Sequence, residues 1–176
     1  MNTKRVSKSA LLLALCTLAG CVVNLAFDMQ RTVAVASSGG ATSVSQSQLV
    51  NLGDYKEIQD HRGSIHSLDL DSVDVVVQTV NPANRATSLN GNVSVRKSLN
   101  DASEVPVPVG SLSNFKVSQG STAHLPGSPA LDAFIYQQLQ NGGTFYVVVT
   151  GDIDQAPIDV VLNVTLHASM GYDAGL

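Results

Sequence analysis

Near the C-terminus the apolar residues fall on every second position: Ile158, Val160, Leu162, Val164 and Leu166. Asp159, Asn163, Thr165 and His167 lie between them. A period of two places the two sets on opposite faces, so this segment predicts a half-buried antiparallel strand. The same period occurs twice within residues 65–80, first as Leu68 and Leu70, then as Val73, Val75 and Val77. The phase changes between them, which predicts a bulge near Asp71 and Ser72. Asn81-Pro82 ends this strand, because proline cannot donate to the ladder. Asn90-Gly91, flanked by β-prone residues 87–89 and 93–95, predicts a tight hairpin, since both residues tolerate positive φ. Residues 145–150 predict a strand, and a turn over 151–156 then predicts a C-terminal hairpin with the final strand.

Two segments carry helical patterns instead. Residues 54–62 predict a short helix, with Asp54 as N-cap and Glu57 three positions on. Ser128 is a natural N-cap and Pro129 a natural first helical residue. Leu131, Phe134, Ile135 and Leu139 then form an apolar stripe at helical spacing, and Gly142-Gly143 stop it. Residues 105–109 alternate Val and Pro, which suits an edge strand or an extended connection. Residues 113–118 predict a strand with Phe115 and Val117 inward, and 100–104 a loop. Many short strands with turn signals, and two helices, predict a mainly β fold. The expected form is an antiparallel β-sandwich, immunoglobulin-like or related, with one short and one longer α-helix.

The first residues follow a different logic. Lys4, Arg5 and Lys8 precede an apolar run over residues 10–18. That run is too short for a spanning helix, which needs ~20 apolar residues. It ends in Leu18-Ala19-Gly20-Cys21. This leader resembles a bacterial lipoprotein signal, whose lipobox reads Leu-Ala-Gly-Cys. The resemblance implies cleavage between Gly20 and Cys21, a diacylglyceryl group on the Cys21 sulfur and an acylated new amino terminus, palmitate among the acyl groups. Such a protein is anchored to a membrane without crossing it. Lipoproteins of the enteric type stay in the inner membrane when Asp follows the cysteine. Here Val22 follows, which implies the outer membrane.

The expected organisation is therefore a signal peptide over 1–20, a lipidated N-terminus and tether over 21–47 and a sandwich domain over 48–176. The small, polar run 37–43 favours a tether. The alternation of Leu25, Phe27 and Met29, with β-prone residues 32–36, leaves room for an early strand.

Composition changes this picture in two ways. Removing three leader cations from ten leaves 7 − 14 = −7, and the remaining cations are scattered. Nucleic acid is therefore not an expected partner. Of two cysteines, Cys16 leaves with the leader and Cys21 becomes a thioether. No disulfide, thiol nucleophile or thiolate ligand is then expected, and core packing must supply stability.

The segment 75–84, containing Val80-Asn81-Pro82-Ala83-Asn84, resembles the Asn-Pro-Asn strand end of late-embryogenesis-abundant, water-stress-type β-sandwiches, departing from it at Ala83. It implies a sandwich fold and nothing further.

Candidate chemistry is sparse. Asp69, Asp71 and Asp74, with Asp152 and Asp154 elsewhere, offer oxygens for Ca²⁺, but without the spacing, glycine or terminal glutamate of an EF-hand loop. Alternation accounts for them as the solvent face of a strand. His61, His66, His124 and His167 lack the spacing of a zinc site. No Gly-x-Ser-x-Gly elbow or phosphate loop occurs. Asn92 and Asn163 begin sequons that carry no meaning in a bacterial protein. Tyr136, Tyr146 and Tyr172 are candidates for a recognition surface. No catalytic residue, metal site or cofactor is assigned.

The expectation is a noncatalytic envelope protein, held to the membrane by its N-terminal lipid, with a structural role or a role in binding an envelope protein. The alternative is a carrier or chaperone for an apolar ligand such as a lipid, and an envelope enzyme stands third.

Overall fold

The computed structural model describes residues 22–37 and 39–174. Eight strands form the body: β1 (Val22–Ala36), β2 (Ser43–Asn51), β3 (Ile65–Val80), β4 (Ser88–Arg96), β5 (Val107–Lys116), β6 (Thr122–Pro126), β7 (Thr144–Ile153) and β8 (Asp159–Asp173). Helix α1 (Lys56–His61) lies between β2 and β3, and α2 (Pro129–Gln140) between β6 and β7. One antiparallel sheet has the order β1-β8-β3-β6 and the other β2-β7-β4-β5. The fold is the expected antiparallel β-sandwich. Each successive pair β1–β2, β3–β4, β5–β6 and β7–β8 is divided between the sheets, which gives the jelly-roll form.

This topology separates the two ends of the molecule. Six of the seven connections pass between the sheets, and four of them, residues 37–42, 81–87, 117–121 and 154–158, lie at one end, the crossing pole. The other connections carry α1, the 97–106 loop and α2, and they lie at the opposite end, the helix pole. Val22 and Asp173 are register partners at the helix pole.

The alternation that predicts β8 is realised in full. Val160, Leu162, Val164, Leu166, Ala168 and Met170 are all buried between the sheets. Val73, Val75 and Val77 meet them from β3, and Phe145, Val147 and Val149 from β7. The predicted bulge in β3 also forms, with a register shift between Leu70 and Ser72. The Leu70 N–H, which faces α2 at this break, donates to the Asp132 carboxylate at 2.8 Å. Helix α2 begins as expected: the Ser128 hydroxyl accepts from Leu131 N–H, and Pro129 opens the first turn. Its stripe is buried, and Phe134 meets Phe145 edge-on at 5.9 Å.

Four expectations need correction. First, of the two readings of residues 22–36, a tether or an early strand, the strand is the one formed: β1 pairs with β8 along all 15 of its residues, and β2 begins at Ser43, ahead of the expected domain boundary at 48. Leu25, Phe27 and Met29 turn inward, which gives this segment a buried face of its own. Second, Asp54 does not cap a helix. Asn51 caps a short 3₁₀ turn over Leu52–Asp54, Tyr55 precedes α1, and Asp54 pairs with Arg31 at 2.9 Å. Third, Asn90-Gly91 is not a hairpin turn but the interior of β4. Gly91 faces Gly151 of β7, and a Cβ on Gly91 would overlap the Thr150 carbonyl oxygen. Close backbone approach, not turn geometry, requires this glycine. Fourth, β7 and β8 form no hairpin, because they belong to opposite sheets and meet only through their buried side chains.

Candidate functional site

The outer face of the β1-β8-β3-β6 sheet carries a row of acids and imidazoles that crosses all four strands. It begins at Asp28 on β1, the register partner of His167 on β8. Asp28 Oδ1 lies 2.7 Å from His167 Nδ1. The other ring nitrogen of His167, Nε2, lies 3.1 Å from Asp74 Oδ2 on β3. Asp74 Oδ1 in turn lies 2.7 Å from Nδ1 of His124, its register partner on β6. Two carboxylates and two imidazoles thus alternate across the sheet.

The electrostatics follow from this order. Hydrogen bonds to Asp28, then to Asp74, favour the charged ring and raise the pKa of His167. Hydrogen bonds from His124 and then His167 hold Asp74 below the usual carboxylate range. With His167 protonated, both ring N–H groups donate to carboxylates, and its charge lies between two negative groups. The row is half-exposed, His167 at 35 % and Asp74 at 39 % of their side-chain surface. Solvent therefore screens it, and its strength is that of a surface network.

The structure distributes the remaining candidates. Asp69 and Asp71 share this outer face, where Ser169 lies 3.3 Å from Asp71. Desolvation, then the charges of Asp132 and Asp71, raise the pKa of Asp69. Asp152 and Asp154 belong to the β7 end of the other sheet, away from these acids. Asp154 accepts from the Thr87 hydroxyl and from the backbone N–H groups of Ser88 and Thr87, which lower its pKa to about 2. It clamps one crossing to another. Among the described residues no three His, Cys, Asp or Glu side chains are placed to hold a metal ion.

His66 pairs with Asp173 at 2.8 Å, and His61 stacks on Tyr172 with ring centres 3.7 Å apart. Tyr136 borders a shallow hollow beside Asp69, and Tyr146 lies in register with Leu49 and Arg96 on the other sheet. The three tyrosines therefore do not form one surface. Gly20 and Cys21 lie outside the described residues.

Sequence reasoning named His124 and His167 singly and Asp74 with Asp69 and Asp71, and missed both the connection between Asp74 and the imidazoles and the part of Asp28. Asp28 and His167 are 139 positions apart, and only the register of β1 on β8 joins them.

These features define a jelly-roll domain with a packed apolar interior and a polar, cross-strand paired outer face. No protein-family model matches the chain, and no curated protein matches it in sequence. Among solved structures, the capsid protein of BFDV in its decameric form is similar at a TM-score of 0.44 and 11 % identity, over 85 % of this chain and 99 % of that one. The structure of Desmodium yellow mottle tymovirus is similar at a TM-score of 0.36 and 7 % identity, over 90 % of this chain and 93 % of that one.

Proposed function

We propose that the protein is a lipid-anchored component of a bacterial cell envelope, with a noncatalytic structural or protein-binding role. The observation that carries this reading is the position of β1. Val22, the residue after the lipobox cysteine, is already the first residue of a strand paired along its whole length. A leader cut before Cys21 leaves the domain intact and joins the lipid directly to a strand of the sheet. The interior also supports a structural role over a carrier. Residues from both sheets and α2 form one packed core, and the hollows on the surface of the described residues are shallow and open to solvent. The groups of the Asp28–His124 row pair with one another, which suits bracing the sheet.

Mass spectrometry of the mature amino terminus tests the anchor. Acyl groups on Cys21 are expected, and Cys21→Ser should leave an unlipidated precursor. An unmodified mature protein, or cleavage elsewhere, would defeat the reading. Fractionation should place the protein in the outer membrane, and recovery in the inner membrane would refute that part.

A further inference from the structure

We propose that the helix pole is a membrane-contact surface, in which the 97–106 loop seats Leu99 and Val105 in the lipid headgroup region beside the anchor. The proposal rests on the anchoring reading above, because Cys21 must hold that pole at the bilayer. No spacer separates Cys21 from β1, so lipidation brings the end of the sandwich that contains Val22 to the membrane surface.

A second observation points to the same end. Among the described residues the large apolar side chains left exposed are Val22 at 59 %, Leu49 at 44 %, Leu99 at 42 % and Val105 at 84 %. Val22, Leu99 and Val105 lie at the helix pole, and Leu49 lies two residues from the end of β2 that reaches it. The crossing pole contributes none. These side chains stand singly at that end rather than as one patch, and the acyl chains proposed on Cys21 are what would bring them to lipid.

The loop is shaped for such a contact. Glu104 accepts from Lys97 N–H at 2.6 Å and from Ser98 N–H at 3.0 Å, and Arg96 donates to the Asp101 carbonyl at 2.9 Å. Its polar groups are thus engaged with its own backbone, while Leu99 and Val105 project outward. Lys97 stands exposed beside them, placed to reach phosphates. The broad faces suit a bilayer less well: the outer face of the β1-β8-β3-β6 sheet presents Asp28, Asp69, Asp71 and Asp74. Anionic lipid repels that face, so it is not the side that lies on the bilayer. The several acyl chains proposed on Cys21 hold the chain at the bilayer by themselves, and interfacial apolar side chains would add to that attachment and set the orientation of the domain on it.

The test uses the acylated full chain in vesicles of phosphatidylethanolamine and phosphatidylglycerol. A single cysteine is introduced as Val105→Cys, Leu99→Cys or, at the crossing pole, Gln155→Cys, and carries an environment-sensitive fluorophore. All three sites are exposed, so the fold should tolerate the label. The probes at 105 and 99 should shift to the blue on vesicles and lose intensity to lipids brominated near the headgroup. The probe at 155 should do neither. An acylated chain whose probe at 105 is quenched no more than that at 155 overturns membrane contact and leaves the anchor standing. Absence of acyl groups on Cys21 by mass spectrometry instead removes the anchoring reading, and this proposal with it.

Discussion

Gly91 of β4 and Gly151 of β7 are register partners at the centre of one sheet, and each occupies the space a neighbour's Cβ would need. A methyl group on Gly91 meets the Thr150 carbonyl, and one on Gly151 meets the Asn90 carbonyl and Gly91 Cα. Both obstacles are backbone, which cannot swing aside. Gly91→Ala is therefore expected to destabilise the domain by about 1–3 kcal/mol through overpacking. Ala in a turn that tolerates it would cost far less. Denaturant melts of Gly91→Ala and of Gly40→Ala, whose Cβ would meet nothing within 4 Å, decide the matter, and a neutral Gly91→Ala would show that the strands can part.

Leu162 and Asn163 give the cleanest comparison of the two faces of β8. Leu162 is 2 % exposed, whereas Asn163 lies on the opposite face. Leu162→Ala should cost ~2–5 kcal/mol, from lost transfer energy and the cavity left behind. Asn163→Ala should cost well under half of that. Equal costs in denaturant melts would contradict the burial pattern.

The His167 network predicts a pH dependence of stability. His167 has a raised pKa in the fold, so its contribution is complete below the unfolded value of 6.5 and is lost as pH rises through the folded value. Asp74 has a lowered pKa, so its contribution is present above 3.8 and is lost as pH falls through the folded value. The row is thus strongest between these two limits. After allowance for solvent screening, its loss on the alkaline side amounts to a few tenths to about 1 kcal/mol. Thermal melts should show stability declining above pH 6.5, and His167→Gln should flatten that decline. A variant with an unchanged pH profile would remove His167 as its source.

Chelation provides a further check. EDTA should leave the melting temperature unaltered, because among the described residues Asp69, Asp71 and Asp74 belong to no group of three His, Cys, Asp or Glu side chains placed to hold a metal ion. A fall of several degrees, restored by Ca²⁺, would revive a site on this face.

What was legible in the sequence was parity. The inward faces of β3 and β8, the bulge near Asp71 and the Ser128 cap are local patterns, and local backbone geometry obeys them. Partnership was not legible. Asn90-Gly91 has the composition of a turn, but its glycine serves a neighbour 60 positions away. Strands β7 and β8 adjoin in sequence, yet a hydrophobic face on each is satisfied as well by facing across the core as by pairing edge to edge. The row from Asp28 to His124 depends on three registers at once, and no short window contains them.

The pairing of β1 with β8 also has a mechanical consequence. Val22 lies opposite Asp173, and Ala36 opposite Asp159, so β1, the strand that would follow the proposed anchor, runs the length of its partner. Its inter-strand hydrogen bonds stand perpendicular to that direction. A pull between the membrane and a partner held at the crossing pole acts along β1 and strains these bonds together, in shear. Tension applied across the sheet would instead peel them one at a time. Under the proposed anchoring, with lipid joined directly to the edge strand β1, the domain would be stiffest along the axis on which the membrane loads it.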